Sequence, residues 1–195
     1  VGVALFLMLL AAAQAFPERS LRSSWASTAL LPGVSQQSSH TDLQPDHVLK
    51  DSELAVASNL DTVGPETITV LQVALPESGT TSVRIPGSDV VPKQGEYLAS
   101  PALAKRIASL PADQLGDRYG KQVGVLAPDA VEGPDSLVAV VGTELGTVAS
   151  SQSHIPPQVV TSFQSIPYEN EAYRIAMLIG AIAVLVPALL LVGIV

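Results

Sequence analysis

Histidine and carboxylate side chains are concentrated in one short segment, where such residues could bind a metal ion. The segment contains His40, Asp42, Asp46 and His47, and imidazole and carboxylate groups are common ligands of zinc and other divalent cations. Their spacing matches no known ligand frame, and the polar surroundings favour a loop. We therefore predict solvated turn residues here and no metal site.

A second charged group could serve as a general acid and base. Asp113, Asp117 and Arg118 lie together in the stretch PADQLGDRYG. On a short helix, Asp113 and Asp117, or Gln114 and Arg118, share an exposed face because they are four positions apart. A structural role is favoured over catalysis.

Catalytic signatures are otherwise missing from the sequence. It contains no G-x-x-x-x-G-K-[ST] loop, no G-x-S-x-G, no S-x-x-K and no H-E-x-x-H, so neither ATP binding through a P-loop nor common nucleophilic or zinc hydrolysis is indicated. We predict that the chain is not an enzyme and has no catalytic, cofactor-binding or metal residues.

Both ends of the chain are apolar and carry no charge. All of the Asp, Glu, Lys and Arg residues lie between Glu18 and Arg174. Residues 175–195 form an uncharged run of 21 residues, which as a helix would be about 32 Å long and would match a hydrocarbon core of about 30 Å. This pattern predicts a transmembrane helix at 175–195.

The first apolar run, residues 1–16, allows two interpretations. It starts without Met and has no preceding basic residues. It is either a transmembrane helix truncated at its start, which we favour, or the apolar part of a signal peptide, in which Ala13 and Ala15 form an A-x-A cleavage pattern.

Residues 17–174 then form an acidic extracytoplasmic domain. At 158 residues the segment is long enough to bury a core of its own. The net charge of −8 argues against nucleic-acid binding, and the absence of Cys means that disulfides do not stabilise this domain.

The first half of this domain has the pattern of short strands. HVLKDSELAVAS, starting at His47, and TITVLQVAL, starting at Thr67, are rich in Val, Ile, Leu and Thr, and the turn-prone NLDTVGPE lies between them. The following PESGTTSVRIPGSDVVPKQG contains several Pro and Gly residues and is predicted to be a surface connector.

The segment Gly95–Gly142 predicts a strand, two helices and two further strands. Ser100 is a candidate N-cap with Pro101 at the first helical position. Leu103, Ile107 and Leu110 form an apolar stripe, and Pro111 ends the helix. The run SLVAVVG is apolar enough for burial on both faces.

Two features near the apolar ends complete the pattern. The segment from Glu144 to Arg174 is polar and interrupted by Pro. Trp25 fits either a membrane–water interface or ordinary packing within the domain.

The predicted fold is an α+β extracytoplasmic domain, with a mixed sheet and short helices, flanked by two transmembrane α-helices.

The stretch GEYLASPALAKRIASLPADQLGDRYGKQVG, followed by PDSLVAVVG, resembles the extracytoplasmic domain of actinobacterial FtsX-like ABC-transporter permeases (MacB/FtsX type). The detailed likeness covers Gly95–Gly142, and the rest agrees in layout only. The resemblance implies a permease subunit that couples ATP hydrolysis by a separate cytoplasmic ABC ATPase subunit to export or mechanical signalling. Its other expected partners are the remaining permease helices or a second permease copy, and the lipid bilayer.

Two other classes of protein compete with this interpretation. The first is a cell-surface binding protein with a signal peptide and a C-terminal membrane anchor. The second, a membrane-tethered envelope enzyme, is disfavoured because no nucleophile with its base is found.

Overall fold

The computed structural model describes Trp25 and residues 40–44, 46–151 and 156–163, all within one structural unit, Arg22–Ile166. The apolar segments 1–16 and 175–195, predicted to cross the membrane, lie outside the described residues, as do most of the residues that join them to the domain. Within the described part of the chain, no helix is both long and apolar enough for a membrane span.

A long β-hairpin forms the centre of the sheet. Strand β2 (Leu54–Val63) pairs with β3 (Glu66–Ala74) over its length. Gly64, with a φ of +57°, takes the first position of the two-residue turn, where a positive φ favours glycine. The predicted turn NLDTVGPE was therefore too long, because its first five residues belong to β2. The residues from His47 to Lys50 were also wrongly predicted as strand and lie in a loop.

Five further strands complete a mixed sheet. They are β1 (His40–Asp42), β4 (Glu96–Ala99), β5 (Lys121–Val125), β6 (Val138–Gly142) and β7 (Gln158–Val160). The strand order is β1-β7-β2-β3-β6-β4-β5. Strands β3 and β6 are parallel, as are β4 and β5, and the other neighbours are antiparallel. The predicted α+β domain with a mixed sheet is confirmed.

Short helices connect these strands. Helix α1 (Pro101–Ser109) follows β4, a π-helical turn spans Ala112–Gly116, a 3₁₀ turn spans Pro128–Ala130, and α2 (Leu145–Ala149) follows β6. The order strand, helix, helix, strand, strand predicted for Gly95–Gly142 is confirmed. Helix α2 and strand β7 were missed, since the polar segment around them gives no sustained periodicity.

Ser100 caps α1 as predicted. Its hydroxyl oxygen accepts hydrogen bonds from the Leu103 and Val138 N–H groups at 3.3 and 3.1 Å, and the hydroxyl donates to the Ser136 carbonyl at 2.6 Å. Ser100 is fully buried, so one side chain joins the start of α1 to the start of β6.

The sheet is covered on both faces. One face packs against Trp25, Val83 and Ile85, together with Leu126 and Val131. The other face packs against α1 through Leu103 and against α2 through Val148. Strand β6 contributes to both faces, as its sequence predicted. The connector predicted to lie on the surface is irregular, but it buries Val83 and Ile85.

Trp25 belongs to the core of the domain. It is 1% exposed, its indole N–H donates to the Ala130 carbonyl at 2.7 Å, and its ring meets Phe163 edge-on at 5.6 Å. Of the two interpretations of this residue, packing within the domain is the correct one.

Candidate binding cleft

A cleft of about 630 Å³ opens at the end of the sheet where β3 and β6 end and where β2 and β4 begin. Four loops line it, because β2 and β4 start at this end of the sheet and β3 and β6 finish there. Its size falls within the range of about 300–1,000 Å³ that small-molecule sites occupy. The lining residues are Asp46, His47, Val48, Leu49, Leu75, Pro76, Glu77, Gly79, Lys93, Gln94, Thr143, Glu144 and Leu145.

One wall of the cleft is fixed by a histidine–glutamate pair. His47 Nε2 lies 2.9 Å from Glu53 Oε2, and the Lys50 backbone N–H donates to the same oxygen at 3.0 Å. Glu53 is 8% exposed. These contacts hold the loop 46–53 in a defined turn, so that His47 and Val48 reach the cleft.

Glu53 remains ionised in this environment. The hydrogen bond from the Lys50 backbone lowers the pKa of Glu53, burial opposes this effect, and the hydrogen bond from His47 lowers the pKa further. The net result is a pKa below the ordinary value for a glutamate. The carboxylate therefore accepts hydrogen bonds from both donors at neutral pH.

Another wall of the cleft depends on a close backbone contact at Gly142. A side chain at this position would collide with the carbonyl oxygens of Lys93 and Pro92. The Gly95 N–H donates to the Gly142 carbonyl at 3.1 Å. Glycine thus lets residues 92–95 cross the end of β6, which brings Lys93 and Gln94 to the cleft.

Gln94 also joins two of the loops. Its side-chain amide donates to Glu144 Oε1 at 2.7 Å. Glu144 immediately precedes α2, and the neighbouring Thr143 N–H donates to the Val73 carbonyl of β3 at 2.8 Å. The cleft is therefore assembled by backbone contacts between strand ends, with few side-chain bonds across it.

Hydroxyl groups are scarce among the described residues that line the cleft. Thr143 supplies the only hydroxyl among the lining residues, and that hydroxyl faces the Glu144 carbonyl at 3.5 Å. The His47–Glu53 pair resembles a base with its orienting carboxylate, but no described hydroxyl is hydrogen-bonded to His47.

The candidate metal ligands whose side chains the structure describes do not form a common site. Asp42 belongs to β1, and His47 pairs with Glu53 instead of with Asp42 or Asp46. The side chain of His40 lies outside the described residues. No group of three or more potential ligands occurs in the described ranges.

The second charged group has a structural role. Arg118 Nη1 contacts both carboxylate oxygens of Asp61 at 2.9 and 3.0 Å, and the Tyr119 hydroxyl donates to Asp61 at 2.7 Å. These bonds tie the tip of the β2–β3 hairpin to the segment before β5. Asp117 is exposed, and the side chain of Asp113 lies outside the described residues.

Sequence reasoning missed Glu53 and the loops that meet at the cleft. Glu53 stands directly before the apolar run of β2, and a carboxylate at the edge of a buried strand is the one local signal that could have identified it. The meeting of the four loops depends on strand order, which the sequence does not specify.

Comparison with known proteins places the chain in no family: no family model, no curated protein and no solved structure matches it.

Proposed function

We propose that the chain is part of an ABC-transporter permease subunit of the FtsX-like (MacB/FtsX) type. In this proposal, helices at 1–16 and 175–195 cross the cell membrane and the α+β domain at 17–174 is extracytoplasmic. The domain couples ATP hydrolysis by a separate cytoplasmic ATPase subunit to export or mechanical signalling. Remaining permease helices or a second copy complete the complex.

The pairing of β1 with β7 is the observation that supports this proposal most directly. His40 lies opposite Val160 in the antiparallel register. The chain therefore enters and leaves the sheet at neighbouring positions. Adjacent connections of this kind suit a domain inserted between two consecutive membrane helices.

A cell-surface binding protein with a signal peptide and a C-terminal anchor is the second candidate. The cleft favours it, because a site of ligand size at the end of a sheet suits a binding module. The fate of residues 1–16 distinguishes the two candidates, since a signal peptide is removed and a membrane helix is retained.

Cysteine labelling of the full-length protein in its host tests the topology. Residues 1–195 contain no Cys, so a Glu77→Cys variant introduces an exposed thiol into the domain, and the unmodified protein is the control for labelling at any other position. If the chain is part of a permease, a membrane-impermeant maleimide should label intact cells. Tags fused to the two ends of the protein should both be retained and should be inaccessible from outside the cell. Loss of the N-terminal tag would favour the anchored binding protein. Labelling only after lysis would contradict both candidates.

The ATPase partner is tested separately. The tagged full-length protein, purified from its own membranes in mild detergent, is expected to retain a P-loop ATPase subunit. Retention of the permease topology without any such subunit would argue for a membrane protein of another class.

A further inference from the structure

The charged rim of the cleft is predominantly acidic. Asp46, Glu77 and Glu144 supply three carboxylates, against the ammonium group of Lys93. Neither Asp46 nor Glu77 has a hydrogen bond or ion pair within the described part of the chain, and both are exposed. Within the described part of the chain, the Glu144 carboxylate accepts one hydrogen bond, from the Gln94 amide. These carboxylates keep most of their hydrogen-bonding capacity for a ligand.

The walls below this rim are apolar. Leu75, Pro76 and Leu145 line the cleft, together with Val48. Val48 is 74% exposed, which makes it one of the most exposed large apolar side chains among the described residues. An apolar ligand body would cover surface that otherwise faces water, and such burial is favourable in proportion to its area.

We propose that this cleft binds a small amphiphilic organic ammonium ion, with its cationic head at Asp46 and Glu77 and its apolar body against Val48, Leu75 and Leu145. The charge of the rim selects a cation, and the apolar walls select an organic one. The inference rests on the described domain alone and holds for either candidate function.

The head group is an ammonium that retains N–H bonds. None of the described residues that line the cleft is Phe, Tyr or Trp, whose ring faces bind quaternary ammonium ions. Carboxylates instead accept charge-assisted hydrogen bonds, which a primary or secondary ammonium donates. A trimethylated head offers no such donor.

Hexylammonium is a direct probe of this site, with hexanoate, hexanol and hexyltrimethylammonium as matched probes of the same chain length. The full chain is placed in nanodiscs of zwitterionic phosphatidylcholine, and binding is measured by saturation-transfer NMR against empty nanodiscs. We expect hexylammonium to bind with a Kd on the order of 1 mM. The other three probes are expected to bind more weakly.

Charge substitutions at the rim test the assigned position. Glu77→Gln and Asp46→Asn are each expected to weaken hexylammonium binding about two- to fivefold, the effect typical of exposed ion pairs. Lys93→Gln is expected to strengthen it by a similar factor. Asp89→Asn is the matched control, because Asp89 is exposed and lies outside the cleft.

Val48→Ser tests the apolar wall. It should weaken hexylammonium binding while leaving the preference for the cation over hexanoate unchanged. The proposal is overturned if hexanoate binds as well as hexylammonium, if Asp89→Asn has the effect of Glu77→Gln, or if no probe binds up to concentrations of about ten times the expected Kd.

Discussion

Tyr119 and Asp61 are 58 positions apart in the chain, and the Tyr119 hydroxyl donates a hydrogen bond of 2.7 Å to Asp61 Oδ2. Arg118 adds two bonds to the same carboxylate and a third, of 2.9 Å, to the Thr62 carbonyl. The hairpin tip is thus held by donors from one short segment. Burial and the hydrogen bond to Asp61 raise the pKa of Tyr119, so the hydroxyl keeps its proton as donor at neutral pH.

Replacing Asp61 with Asn is expected to lower the free energy of unfolding by about 1 kcal/mol, because these groups are partly exposed and solvent weakens their attraction. The measurement is urea unfolding of the full chain in nanodiscs, followed by the fluorescence of Trp25, its one tryptophan. Asp117→Asn removes an exposed carboxylate without a described partner and is the control. Equal effects of the two variants would show that the Asp61 contacts do not stabilise the domain.

The domain is expected to lose stability in acid. Burial raises the pKa of Asp61, but the hydrogen bonds from Tyr119, Arg118 and Thr62 outweigh it, so the pKa stays below its ordinary value. Glu53 is shifted in the same direction. Near pH 4 the unfolded chain therefore binds more protons than the folded one, and the stability that these two groups add above that pH is lost as pH falls through their folded pKa values.

The urea midpoint followed from pH 7 to pH 3 measures this loss. Asp61→Asn and Glu53→Gln should each flatten the acid limb of the curve, since each variant removes one titrating group. Asp117→Asn provides the reference profile. An acid limb of unchanged slope in both variants would assign the pH dependence to other carboxylates.

Removal of the Ser100 hydroxyl is expected to lower the stability of the domain. Ser100→Ala deletes the α1 cap and leaves the buried Leu103 and Val138 N–H groups without this acceptor, so we expect a loss of about 1–3 kcal/mol in the free energy of unfolding. Ser109→Ala, at the exposed end of the same helix, removes a bond to the Arg106 carbonyl and should change stability much less. A small effect of Ser100→Ala would mean that water replaces the hydroxyl.

The elements predicted correctly from sequence are those with a strong local signal. Ser100 and Pro101 mark the start of α1, Pro111 follows its end, and the continuous apolar run of β6 indicates burial on both faces. The hairpin was located correctly, but its turn was not, because Asn59 and Asp61 are turn-prone residues that cross-strand pairing with β3 keeps extended.

The cleft could not be predicted from the sequence in the same way. Its residues come from four loops far apart in the chain, and they meet only because β6 inserts between β3 and β4. Strand β7 is only three residues long, too short to give a periodic signal. Glu53 holds the loop 46–53 by accepting hydrogen bonds from His47 and from the Lys50 backbone N–H. These contacts depend on the conformation of the loop.

Gly142 provides the sharpest test of how the cleft is built. Gly142→Ala places a methyl group against the Lys93 and Pro92 carbonyls, and the resulting backbone shift should cost about 1–3 kcal/mol. It should also change the affinity for hexylammonium, because displacement of residues 92–95 alters the shape of the cleft and the position of the Lys93 charge. Gly146→Ala is the matched control: the added methyl group in α2 meets no atom within 4 Å, and replacing a helical glycine should raise stability by about 0.5–1 kcal/mol. If both variants unfold at the same urea concentration as the unmodified chain, the crossing of residues 92–95 over Gly142 does not set the shape of the cleft.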